Sequence, residues 1–223
     1  MADKIDSVPC AGGRRITRLV STDRDIVIPD SIDGSPVVSL GPSFLSGSPA
    51  ADGRTVHVPA SVITMDRDAF GGLIGIRRIE YGGTMETFSS FGIDAEYDVE
   101  LSTGDGHEFS FIAGYPIGFP AFDTAMQSMT FMMTQDTAMA KLRDPVLLTE
   151  EAASRYRSYL SGRIMPKAEQ AVSSGDARGL SELVSTGMFS DDDIRRLMDR
   201  SVRSGKTAVT SMLMSVLYSR RHP

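Results

Sequence analysis

The sequence predicts an α+β chain: a short β-solenoid followed by an all-α domain of paired helices. Three observations carry that expectation. A strand–proline–phenylalanine unit recurs over residues 25–44 and 55–70. The apolar spacing shifts from period two toward helical spacing beyond Phe122. A second repeat, at an offset of 30 residues, occupies the last fifty positions.

The first unit runs Asp25-Ile-Val-Ile-Pro29, then Val37-Val-Ser-Leu-Gly-Pro-Ser-Phe44. Its echo runs Thr55-Val-His-Val-Pro59, then Val62-Ile-Thr-Met-Asp-Arg-Asp-Ala-Phe70. A degenerate third copy begins at Arg78-Ile-Glu-Tyr81. Ile26 and Ile28, Val56 and Val58, and Ile79 and Tyr81 alternate at period two, which is how a short strand buries one face. Pro29 and Pro59 end the strands by removing a ladder donor. The apolar pairs Val38 with Leu40 and Val62 with Met65 then lead to Phe44 and Phe70, placed to fill the interior between coils. Proline and phenylalanine lie 15 residues apart in the first copy and 11 in the second, and the turn-like insert Asp33-Gly-Ser-Pro36 accounts for the difference. An insertion that leaves both flanks intact behaves as a loop on a solenoid's rim.

These residues resemble the BspA-type leucine-rich repeats, whose units run like Ile-x-Ile-Pro-x-x-Val-x-x-Ile-Gly-x-x-Ala-Phe. Ile79-Glu-Tyr-Gly-Gly-Thr84-Met-Glu-Thr-Phe88 is similar to the closing unit of that family, with Phe88 where tryptophan is usual. The resemblance covers residues 15–93. It implies a leucine-rich-repeat-type β-solenoid that serves as a binding scaffold, with no shared catalytic residue.

Three coils expose both ends of their core, so each end needs a cap. Ile16-Thr-Arg-Leu-Val20 suits one end as an additional strand. Tyr97-Asp-Val-Glu-Leu101 and His107-Glu-Phe-Ser-Phe-Ile112, around Ser-Thr-Gly-Asp-Gly, read as a hairpin at the other. Gly114, Pro116, Gly118 and Pro120 then interrupt regular structure. The expected organisation is a tail at 1–14, the β domain at 15–113, a linker at 114–125 and a helical domain at 126–223.

In the helical domain Met126, Met129 and Met133 share one stripe, read as adaptable core filler. Thr149-Glu-Glu-Ala reads as a capped helix start, with Tyr156, Tyr159 and Leu160 on its buried face. The repeat of this half aligns Ala171-Val-Ser-Ser-Gly175 through Leu183-Val with Ser201-Val-Arg-Ser-Gly205 through Leu213-Met. Each copy is a helix, a glycine that closes it in the left-handed region, and a returning helix. Ser190-Asp-Asp-Asp193 caps the helix between them. The arrangement resembles divergent ankyrin repeats, although the Thr-Pro-Leu-His signature is missing.

A net charge of −6 opposes a phosphate-binding surface, and the absence of tryptophan removes a stacking platform, so no nucleic-acid partner is expected. No apolar run reaches the ~18 residues of a membrane span. The charged N-terminus lacks the apolar core of a signal peptide. A cytoplasmic location follows, or the cell surface if a leader has been trimmed. The single Cys10 forms no internal disulfide.

Strings that suggest chemistry fail in context. Ser204-Gly-Lys-Thr207 lacks the earlier glycine and the strand of a phosphate-binding loop. Asp191, Asp192 and Asp193 are consecutive, so on a helix they radiate apart rather than converge on a cation. His57, His107 and His222 are far apart, and no nucleophile elbow occurs. No catalytic residue, cofactor or metal is therefore expected. The leading function is a non-catalytic scaffold for another protein, whose contact row comprises Asp25 and Val27, Thr55 and His57, Arg78 and Glu80. The alternatives are a cell-surface adhesin, or a hydrolase or regulatory subunit with a site near Gly114 to Pro120.

Overall fold

The computed structural model describes residues 2–125 and 135–222. They fall into two compact units, Met1–Met132 and Met133–Pro223. The first is β-solenoid-like and the second is helical.

In the first unit, strands β2 (Gly13–Ser21), β3 (Asp25–Val27), β5 (Ser35–Leu40), β6 (Arg54–Val58), β7 (Thr64–Met65) and β8 (Ile76–Tyr81) alternate between two sheets. One sheet pairs β2, β5 and β7 in parallel, placing Ile16 beside Leu40 and Leu40 beside Met65. The other pairs β3, β6 and β8 in parallel, placing Ile26 beside Val56 and Val56 beside Ile79. All of these apolar side chains are buried. Alternate visits to two sheets, with like residues stacked at each visit, are what a coiled chain with equivalent turns requires. The ring centroids of Phe44 and Phe70 lie 5.9 Å apart at an interplanar angle of 60°, inside one shared interior. The buried apolar residue that precedes Leu40 is Val37; Val38, expected there, is half-buried.

The insert between Pro29 and Phe44 is a small hairpin. Strand β4 (Ser31–Ile32) pairs with the start of β5, and Asp33 and Gly34 both have positive φ, 51° and 75°. Two such residues make the tight turn whose twist matches antiparallel strands. Strand β9 (Val99–Thr103) adds in parallel to β8, and β10 (Glu108–Phe111) closes back on β9 as the expected hairpin. Helix α1 (Met85–Ser90) is capped by Thr84, and Phe88 is buried against Tyr81 and Phe91 at 5.6 and 5.7 Å.

Two expectations of organisation are corrected. Residues 2–10, read as part of a tail, form strand β1 (Ala2–Cys10), antiparallel to β2. Its described side chains are exposed or half-buried, so backbone pairing to β2 holds it, which an apolar pattern does not reveal. Residues 114–125, read as a linker, carry Tyr115, Ile117, Phe119 and Phe122 into the core of the first unit. Phe119 meets Phe109 at 4.9 Å and Phe111 at 5.4 Å, and helix α2 (Ala121–Ala125) supplies Phe122. The glycines and prolines of this stretch mask a period-two apolar pattern at 115, 117 and 119.

The second unit contains α3 (Gln135–Arg143), α4 (Glu150–Leu160), α5 (Ile164–Ser174), α6 (Ala177–Val184), α7 (Asp191–Arg203) and α8 (Thr207–Arg221). The stripe at Met126, Met129 and Met133 lies outside the described residues. Thr149 caps α4 by accepting from Ala152 N at 3.2 Å. Tyr156 and Leu160 are buried, whereas Tyr159, expected with them, is half-exposed with the Arg163 guanidinium 4.5 Å above its ring. Gly175 and Gly205 have φ of 82° and 67°, the left-handed turns on which each helix pair depends. The core of the last four helices gathers Val172, Leu180, Val184, Ile194, Leu197, Val209 and Leu213.

Ser190 and Asp193 form a reciprocal capping box at the start of α7. The Ser190 oxygen accepts from Asp193 N at 3.1 Å, and the Asp193 carboxylate accepts from Ser190 N, also at 3.1 Å. The Ser190 hydroxyl and backbone amide hold the Asp193 carboxyl below the usual aspartate range, against the opposing effect of burial. A native pKa below the unfolded one stabilises the fold above the ordinary aspartate range, and that contribution is lost as pH falls through the lowered native value. Ser190→Ala should cost about 1 kcal/mol. Thermal unfolding at pH 7 and pH 3 checks this, with the difference between variant and parent expected to shrink at the lower pH.

Candidate partner-binding face

The parallel sheet of β3, β6, β8 and β9 sorts its side chains into an inner and an outer face. The inner row is Ile26, Val56, Ile79 and Leu101, all buried, with Phe109 opposite Leu101 on β10. A period of two then forces the residues between them outward. The register brings all six residues of the expected contact row onto that outer face. Asp25, Thr55 and Arg78 are adjacent in one row, which Glu100 continues. Val27, His57 and Glu80 are adjacent in the next, which Ser102 continues. Val27 exposes 62% of its surface, an unusual position for a large aliphatic side chain in a four-rung parallel ladder.

The charges on this face are organised around one guanidinium. Arg78 Nε donates to Glu80 at 2.9 Å, and Nη1 donates to Glu100 at 3.0 Å. Its Nη2 lies 2.8 Å from Glu108. Hydrogen bonds to Glu80 and Glu108 hold the arginine pKa above its ordinary value. The second oxygen of Glu80 lies 2.9 Å from His57 Nδ1. Three carboxylates around one arginine leave the cluster with excess negative charge, and these residues are partly exposed, so that charge faces solvent.

An open groove of about 430 Å³ lies along the C-terminal ends of the strands, where Val27, Asp30, His57, Glu80, Ser102 and Gly104 meet it. Its floor is close-packed backbone. A Cβ on Gly104 would stand 2.2 Å from the carbonyl oxygen of Gly82, so only glycine lets these two coils approach. Tyr81 turns inward from the same rim and donates to the Val62 carbonyl at 2.8 Å, and burial pushes its phenol pKa up.

Sequence reasoning missed Glu100, Ser102, Glu108 and Asp105. Glu100 and Ser102 extend the outer face because β9 is a fourth parallel rung, and Glu108 extends it from β10 beside Ser102, whereas the sequence read the two strands only as a capping hairpin. Asp105 sits in the turn of that hairpin. It accepts from the Thr103 hydroxyl at 2.6 Å and from the Met85 amide at 3.2 Å. Burial opposes its ionisation, but these bonds and the neighbouring His107 leave its pKa below the usual aspartate range. Asp105 thus ties the turn to the start of α1.

The other chemical strings are accounted for structurally. Gly205, Lys206 and Thr207 join α7 to α8, with no strand preceding them. Asp191, Asp192 and Asp193 occupy the first turn of α7, where the helix dipole favours negative charge. No group of three or more His, Cys, Asp or Glu among the described residues is placed to hold a metal ion. Around Gly114 to Pro120 the first unit buries Tyr115, Ile117 and Phe119. No described helix is long and apolar enough to cross a membrane. Against protein-family models, curated proteins and solved structures, the chain shows no match.

Proposed function

We propose that this protein is a non-catalytic scaffold that binds another protein through the outer face of the β3–β6–β8–β9 sheet. The observation that supports this reading most is the row of Val27, His57, Glu80 and Ser102 in register over an entirely apolar inner row. Outer positions of a solenoid sheet can change without disturbing its packing, so recognition is free to reside there. The resemblance to BspA-type leucine-rich repeats, and the ankyrin-like spacing of the later helices, favour the same class. The acidic excess around Arg78 favours a partner segment with Lys or Arg beside an apolar side chain that covers Val27.

The test is affinity capture with the full chain as bait, comparing parent, a Val27→Glu/His57→Glu double variant and a variant substituted only at Val202, in the other unit. Species bound through this face should fall at least tenfold with the double variant and persist with the other. Capture that both variants retain alike would reject the face.

A further inference from the structure

The start of β6 holds a charge for which the residues around it supply no counterpart. Arg54 has no exposed surface. Its Nη2 donates to the Pro49 carbonyl at 2.7 Å and lies 3.5 Å from the Ser21 carbonyl, while Nε and Nη1 are buried without an acceptor among the described residues. No described carboxylate pairs with it, and Asp23 and Asp52, the acids nearest along the chain, form no bond to it. A carbonyl accepts a hydrogen bond but carries no net charge, so the guanidinium is left as an uncompensated buried cation, which costs far more than a buried pair. Burial lowers its pKa, yet a guanidinium keeps its proton at neutral pH.

Packing does not call for an arginine at this position. Its neighbour on β8 is Ile76, buried and aliphatic, so an apolar side chain serves the same place one rung later. The hydroxyls nearby add donors to the spot. Ser21, 1% exposed, accepts from Asp23 N at 3.1 Å, and the Ser48 oxygen accepts from Ser21 N at 3.1 Å. Neither hydroxyl donates to a described residue, so its hydrogen is available beside the two guanidinium nitrogens. The loop 46–53 covers the site and supplies the Pro49 carbonyl, with Gly47 and Gly53 in the left-handed region at φ of 92° and 73°. Surplus donors, a fixed positive charge and no acidic side chain are the features of an anion site.

We propose that Arg54 binds a small monovalent anion, of the size and charge of chloride, beneath the loop 46–53 of the first unit. Nε and Nη1 donate to the ion, whose charge balances the guanidinium. Enclosure sets the class of ligand: a site with no exposed surface excludes phosphate esters and the side chains of a partner, and a monatomic ion enters when the loop lifts. Once bound, the ion holds the loop down, because ion and Pro49 carbonyl are gripped by one guanidinium. None of the outward residues of the β3–β6–β8–β9 sheet takes part, so the site is independent of the partner-binding face.

Two measurements on the full chain decide the matter. In the first, thermal unfolding is followed in sodium chloride and in sodium gluconate at equal ionic strength, which matches the screening of surface charges. A ligand that binds only the folded state stabilises it by mass action, so chloride should raise the midpoint by about 3–6 °C at roughly ten times its dissociation constant. Arg54→Met should remove the difference between the salts. A parent that melts alike in both, or a difference that Arg54→Met retains, would overturn the proposal. In the second, crystals of the parent grown in sodium bromide should show an anomalous bromide peak within hydrogen-bonding distance of Arg54 Nε and Nη1. Water or protein atoms there in place of bromide would overturn it, even if Arg54→Met failed to fold. A bromide peak combined with melting indifferent to chloride would mean an adventitious ion only, and would overturn it equally.

Discussion

Phe44→Ala should lower the stability of the β unit by about 3–5 kcal/mol, the cost of removing a fully buried aromatic side chain from a core that only partly collapses around the void. The residue has no exposed surface, and its ring packs against Phe70 of the next coil. Near-ultraviolet circular dichroism or calorimetry should show a midpoint about 10 °C lower, given ~2–4 °C per kcal/mol for chains of this size. Phe70→Ala should behave similarly. The informative quantity is the cycle of the two: rings in contact should show a coupling of about 0.5–1.5 kcal/mol. Strictly additive losses would mean the two phenylalanines do not occupy one interior.

Gly75→Ala should cost about 2–4 kcal/mol for two separable reasons. Its φ of +88° penalises any L side chain by about 1–2 kcal/mol. Its Cβ would also stand 2.1 Å from the Ala51 carbonyl oxygen, which is backbone and moves only with the coil. Gly53→Ala separates the two, because Gly53 has a similar φ of +73° but nothing within 4 Å. Denaturant midpoints should place the loss at Gly53 near the strain alone and the loss at Gly75 well beyond it. Equal losses would remove the close approach from the explanation.

The outward placement of the candidate residues was legible because it rests on a local rule. Period-two alternation at Ile26, Val56 and Ile79 assigns Asp25, Val27, Thr55, His57, Arg78 and Glu80 to the opposite face without reference to any other strand. What alternation does not provide is which strands are neighbours. Glu100 and Ser102 join the same face only because β9 pairs in parallel with β8, a hydrogen-bonding choice made between segments about 20 residues apart.

The capping residues show the same division. Thr149, Ser190 and the glycines 175 and 205 act on amides and carbonyls within a few residues, so their roles follow from the sequence alone. Strand β1 and the Tyr115–Phe122 segment were hidden, one because backbone pairing holds it and the other because glycine and proline interrupt its pattern. Arg54 is the sharpest instance. An arginine that any sequence pattern assigns to the surface is fully buried at the start of β6, its Nη2 donating to the Pro49 carbonyl at 2.7 Å, and burial lowers its pKa.

By itself the sequence determined the repeating units, their inward and outward residues and the ends of the principal helices, because these depend on steric and hydrogen-bonding preferences of consecutive residues. Only the tertiary structure decided the order of the rungs, the ion cluster on Arg78 and the enclosure of Arg54. Those depend on which distant segments meet, and a neighbour that supplies a partner, or fails to, is not written in the residues beside it.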